Sequence, residues 1–143
     1  PRIRRREGLP AGVHDALDDA ERATAGGTRL TLCLALNYGS RTEIVHAVRA
    51  LAEQVKAGRL DPSSIDEALF AAHLDTAGLP DPDLLIRTAG ERRVSNYLLW
   101  QISYAELYIA SALWPDFGPD ALHEALRDFA ARERRFGDVR PQA

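Results

Sequence analysis

The sequence predicts an α/β fold with a mainly parallel central sheet flanked by helices. Residues 29–37 form an almost uninterrupted apolar run, the pattern of a strand buried on both faces. Stretches with apolar residues at helical spacing alternate with such runs along the chain, as in layered α/β proteins. The two polar loops at 37–43 and 87–96 each follow a predicted strand, and in open α/β sheets ligands bind beyond the carboxyl ends of strands.

Taken in order, residues 2–6 read as a short strand, and Gly8, Leu9 and Pro10 turn the chain after it. Pro10 suits the first turn of a helix whose face carries Val13, Ala16, Leu17, Ala20 and Thr24, and Gly26-Gly27 stops it. After the strand at 29–37, Ser40 or Thr42 is the expected cap of a second helix. Its stripe of Ile44, Val45, Val48, Leu51, Ala52 and Val55 is the clearest amphipathic signal in the chain. Gly58 ends it, and Ser63-Ser64 opens another helix to about residue 72. A strand at 83–88, a short helix at 96–103 and a strand at 106–110 follow. Residues 114–118 make an aromatic-rich turn. The last helix spans 119–133 with Leu122, Ala125, Leu126 and Phe129 inward, and a disordered tail is expected at 138–143.

At 143 residues the chain suits one domain with a core and is too short for two ordinary ones. A net charge of −3 argues against broad nucleic-acid binding, although arginines cluster at 2–6 and 132–135. The single cysteine, Cys33, excludes an internal disulfide and fits a reducing, cytoplasmic setting; within its apolar run it reads as a buried structural thiol. The histidines at 14, 46, 73 and 123 never approach metal-ligand spacing, so no zinc role is assigned. Signal peptides and spanning apolar stretches are absent from the sequence. It opens on Pro1-Arg2-Ile3 as if in mid-strand, which leads us to expect a piece of a longer polypeptide.

The chemistry concentrates between Asp81 and Asn96. Arg87 and Arg93 are fixed cations whose planar forks match phosphate oxygens, Ser95 adds a hydroxyl at an expected helix start, and Gly90 permits close backbone approach. Together they compose a diphosphate site. The plain alternative pairs Arg87 with Glu91 or Asp83 and leaves Arg93 solvated. Glu106, between Tyr104 and an apolar strand, is either a ligand for a hard cation such as Mg²⁺ or half of an ion pair, and spacing alone favours the pair. Asn37, Arg41 and Glu43 read first as a capped helix start with an Arg–Glu pair. Trp100, Tyr104 and Trp114 read as core or interface aromatics. Neither a nucleophile–base pair nor a dinucleotide-binding glycine fingerprint is visible.

The run from Pro82 through Arg87, Gly90, Glu91, Arg93, Ser95 and Asn96 to Gln101, then Tyr104-Ala105-Glu106-Leu107 and Leu113-Trp114-Pro115-Asp116-Phe117, resembles the cis-prenyltransferases. Within them the likeness is to undecaprenyl diphosphate synthase-like isoprenyl transferases. Leu32–Ile44 and Arg132–Gly137 match two further signature stretches, so the resemblance covers nearly the whole chain.

This resemblance implies a fold, a reaction and a set of roles. The fold would be the C-terminal part of a single cis-prenyltransferase domain. The reaction would condense isopentenyl diphosphate with an allylic diphosphate such as farnesyl diphosphate, using Mg²⁺, to give an undecaprenyl-like Z-polyprenyl diphosphate. A short-chain Z-prenyl product and a noncatalytic accessory subunit stay open as alternatives. By position Arg87, Arg93 and Ser95 would hold isopentenyl diphosphate, Glu106 would serve the metal, and Arg135 and Gly137 would reach a neighbouring subunit's site in a homodimer. Peripheral membrane association would follow from a lipid product. Cys33, Ser40 and Ala89 stand where asparagine, glycine and serine or glycine are expected. The family's N-terminal glycine-rich loop with its catalytic aspartate is not among these residues, so that aspartate is expected upstream of Pro1.

Overall fold

The computed structural model describes residues 9–133. The predicted strand at 2–6, the tail, Arg135 and Gly137 lie outside the described residues. The architecture is mixed α/β, with a small parallel sheet and flanking helices. The chain divides into two compact units, Pro1–Pro80 and Asp81–Ala143.

In the first unit, helix α1 (Ala11–Thr24) starts after Pro10, whose fixed φ prepares the first turn. None of its residues is fully buried, although Leu17 on its apolar stripe is half-buried. The predicted strand at 29–37 is not formed; the segment is irregular apart from a single bridge at Leu36. Leu30, Leu32 and Leu34 are exposed, and Cys33 is only half-buried. A strand exists only through its ladder, and these residues find almost no ladder partner among the described residues.

Helix α2 (Ser40–Lys56) starts from Gly39 in extended backbone, with no side-chain cap, so neither Ser40 nor Thr42 plays that role. Its buried face is Ser40, Glu43, Ala47 and Leu51, rotated from the predicted stripe; Val45 and Val48 face outward. Gly58, at φ +69°, closes it, with Arg59 N–H donating to the Gln54 carbonyl at 3.0 Å. That is the left-handed glycine stop expected of this position. The predicted helix at 63–72 divides in two. Asp61 caps a 3-10 turn at Pro62–Ser64, and Asp66 caps α3 (Glu67–Ala71) by accepting from Leu69 N–H at 2.8 Å. α3 packs on α2, where Gln54 and His73 join side chains at 2.8 Å.

In the second unit, β1 (Leu84–Arg87) and β2 (Glu106–Ile109) pair in parallel, with Leu84 opposite Glu106 and Arg87 opposite Ile109. The connection at 88–105 contains no helix: residues 95–104 run as consecutive turns where 96–103 was expected to be helical. Ser95, Asn96 and Leu98 all have positive φ, a conformation that interrupts right-handed helix. Leu98 and Gln101 are nonetheless buried, anchoring the turns from within. Helix α4 (Pro119–Ala130) follows a 3-10 turn at Trp114–Asp116 and packs against β2. Only Ala125 of its predicted inward face is buried; Leu122 and Leu126 are exposed. Tyr104 and Trp114 are exposed as well, so they are not core aromatics. No helix among the described residues is long and apolar enough to cross a membrane.

Candidate active site

The loop leaving β1 is held by the backbone that leaves β2. Ala110 N–H donates to the Arg87 carbonyl at 2.7 Å, Gly90 N–H to the Ala110 carbonyl at 2.9 Å, and Ala89 N–H to the Ala112 carbonyl at 2.7 Å. These bonds extend the parallel ladder beyond the strand ends and fix residues 87–91. Ala89 and Gly90 are both left-handed, at φ +58° and +66°. Gly90 accommodates this without strain, whereas Ala89 stores of order 1 kcal/mol. A Cβ on Gly90 would meet nothing within 4 Å, so the space above the turn is open to a ligand.

Arg87 and Arg93 converge on one carboxylate. Glu91 Oε2 lies 3.8 Å from Arg87 Nη2 and pairs directly with Arg93 Nη1. Two cations against one carboxylate leave the loop electropositive. Among the described residues, Arg87 Nε is buried without a hydrogen-bond partner. A buried guanidinium N–H is costly to leave unpaired, and a phosphate oxygen is its natural complement. Arg93 is 70% exposed and free to turn towards an incoming anion, although it is paired rather than merely solvated. Ser95 is exposed and opens no helix, so the expected N-terminal anion site at this residue is absent; its hydroxyl alone is what it offers.

Glu106 stands apart from the arginines. It pairs in register with Leu84, three residues of strand from Arg87, roughly 10 Å along the axis. Its Oε2 accepts from Arg132 Nη1 at 2.8 Å. Arg132 also donates to the Leu107 carbonyl at 3.0 Å and pairs with Asp128 at 2.5 Å. Hydrogen bonding to Glu106 raises the Arg132 pKa above the ordinary arginine value, so this group is cationic at any working pH. The ion pair weighed for Glu106 therefore exists, with a partner that the spacing did not reveal. Arg132 is twenty-six residues away along the chain.

No group of three or more metal-suited His, Cys, Asp or Glu occurs among the described residues. Mg²⁺, however, is commonly held by one or two carboxylates plus substrate phosphates rather than by a protein cage. Glu106, part-exposed and with only its Oε2 hydrogen-bonded among the described residues, fits that mode.

The first unit carries a separate polar feature. A shallow cleft of about 240 Å³ is lined by Asn37, Tyr38, Gly39 and Thr42 at the start of α2. Its wall is fixed by Glu43, only 2% exposed, which accepts from the Tyr38 hydroxyl at 2.5 Å and from Asp75 N–H at 2.8 Å. The spacing of Tyr38 and Glu43 gave no sign of this contact, because residue 38 precedes the helix that carries residue 43.

A family model described as putative undecaprenyl diphosphate synthase matches residues 2–137. The chain is a cis-prenyltransferase family member. It is 55% identical over 141 residues to an isoprenyl transferase of Brucella abortus biovar 1 (strain 9-941), covering 99% of this chain and 56% of that protein. It is 52% identical over 132 residues to the ditrans,polycis-undecaprenyl-diphosphate synthase ((2E,6E)-farnesyl-diphosphate specific) of Xanthomonas axonopodis pv. citri (strain 306), covering 92% of this chain and 51% of that one. Among solved structures, the lavandulyl diphosphate synthase of Lavandula x intermedia, in complex with dimethylallyl diphosphate, is similar with TM-score 0.89 and 42% identity, over 96% of this chain and 59% of that one. A probable undecaprenyl diphosphate synthase from Campylobacter jejuni gives TM-score 0.74 and 32% identity, over 96% of this chain and 62% of that one. The chain spans about half the length of the curated relatives it matches.

Proposed function

We propose that the intact protein transfers an allylic prenyl group to isopentenyl diphosphate, giving a Z-prenyl diphosphate. The observation that carries this is the buried, unpartnered Nε of Arg87 beside Arg93, at a strand end of a family member whose relatives are diphosphate synthases. In the reaction the allylic C–O bond breaks, a C–C bond forms to the isopentenyl double bond, one proton is lost and diphosphate leaves. Arg87 and Arg93 hold the isopentenyl diphosphate by charge-assisted hydrogen bonds, and Ser95 adds a neutral donor. Arg87, held at the strand end, is the preorganised cation of the two, and Arg93 turns from Glu91 to complete the clamp. Glu106 is the carboxylate available to Mg²⁺. That ion, when bound, would neutralise diphosphate charge.

Ionisation of the allylic partner we assign to the part of the relatives' length that this chain does not span. The active form is read as a homodimer completed by Arg135 and Gly137, as the sequence resemblance implies. For product length, the likeness to lavandulyl diphosphate synthase supports a short-chain product. Identity of 52% to a farnesyl-specific undecaprenyl synthase supports a long one. The test is chromatography of products after the intact protein is incubated with isopentenyl diphosphate and either dimethylallyl or farnesyl diphosphate. Z-prenyl diphosphates are expected, and their length decides between the two readings. Absence of product, with activity appearing only when a second chain is added, would make this an accessory subunit instead.

A further inference from the structure

The Glu106–Arg132–Asp128 cluster has a composition that a simple structural bridge does not need. We propose that Arg132 is a positioning residue that holds Glu106 in the substrate-free protein and yields it to the divalent cation arriving with diphosphate. This rests on Glu106 being the metal carboxylate under the proposed function.

Three observations carry it. The guanidinium has three acceptors, Glu106 Oε2 at 2.8 Å, the Leu107 carbonyl at 3.0 Å and Asp128 Oδ2 at 2.5 Å. Glu106 can therefore turn to a cation while Arg132 keeps two partners, so the exchange strands no charge. The side chains of Arg132 and Glu106 are 31% and 29% exposed, enough for a hydrated ion to reach them and enough screening to keep the pair exchangeable. Finally, two carboxylates surround one guanidinium, leaving the cluster one negative charge. That charge attracts a cation weakly, and the guanidinium opposes its binding until phosphate oxygens supply the remaining ligands.

The test is titration of the intact protein with Mn²⁺ alone, free ion being read by electron paramagnetic resonance with no diphosphate present. Arg132→Gln should bind Mn²⁺ roughly thirtyfold more tightly than wild type, the effect of removing one unit charge about 4 Å from a divalent ion under water-like screening. Asp128→Asn should bind it more weakly by a similar factor, and Arg132→Lys should resemble wild type. Adding Glu106→Gln to Arg132→Gln should erase the gain. A purely structural bridge would lower the melting temperature in both Arg132→Gln and Asp128→Asn without moving Mn²⁺ affinity in opposite directions, and that result would overturn the proposal. If Arg132→Gln does not fold, Asp128→Asn decides alone: unchanged Mn²⁺ affinity overturns it. Unchanged Mn²⁺ affinity in Glu106→Gln would remove the metal reading itself, and this inference with it. An effect of Glu106→Gln with none from Arg132→Gln would remove only the inference.

Discussion

The Tyr38 hydroxyl donates at 2.5 Å to the buried carboxylate of Glu43, whose other oxygen accepts the Asp75 N–H at 2.8 Å. One side chain on α2 thus ties together the loop before the helix and a turn more than thirty residues later. Hydrogen bonds to a charged group contribute about 1.5–3 kcal/mol each. Tyr38→Phe should therefore cost about 2 kcal/mol, and Glu43→Ala more, because it leaves the Asp75 N–H without its acceptor. Urea denaturation of the single variants and the double variant checks this; additive losses would show that the two side chains are not coupled.

Ala89 sits at φ +58° with its N–H committed to the Ala112 carbonyl. Glycine carries no Cβ penalty there. Ala89→Gly should raise stability by up to about 0.5 kcal/mol after its larger unfolded-state entropy is set against the relieved strain. A melting temperature clearly below wild type would mean that the turn is not strained as described.

Asp61 accepts from both the N–H and the hydroxyl of Ser63, which hold its carboxyl below the usual carboxylate range. A depressed folded pKa stabilises above the unfolded value and is lost as pH falls through the folded one. Asp61→Asn should thus melt lower than wild type at neutral pH, and the difference should shrink in acid below about pH 4. A difference that grows in acid would reverse the assigned cause.

Arg87→Lys should behave nearly as Arg87→Ala for isopentenyl diphosphate, because lysine has no counterpart to the buried Nε. Full recovery of the wild-type KM with lysine would show that only charge matters at this position.

Much of the local structure was legible in the sequence. The starts of α1 and α4, the stop at Gly58 and the two strands β1 and β2 follow from proline, glycine and periodicity. What the sequence hid depends on tertiary partners. The apolar run at 29–37 has strand composition, yet Leu30, Leu32 and Leu34 stay exposed because a strand needs a neighbour that composition does not supply. The buried face of α2 is rotated from the apolar stripe: Glu43 is buried with its carboxylate oxygens hydrogen-bonded, while Val45 and Val48 face outward. The expected helix at 96–103 failed on left-handed backbone at Asn96 and Leu98, which residue type does not announce for leucine. Likewise, spacing could pair Arg87 with Glu91, but the partner of Glu106 lay on a helix beyond its reach.

The most direct test of the central claim is the KM for isopentenyl diphosphate in the intact protein carrying Arg93→Ala. Arg93 is 70% exposed and pairs only at a screened surface, so its removal should leave the melting temperature within about 2 °C of wild type. Loss of one charge-assisted contact to diphosphate should raise that KM by roughly tenfold or more, with the KM for the allylic diphosphate little changed. An unchanged KM for isopentenyl diphosphate in the folded variant would contradict the assignment of this loop as its binding site.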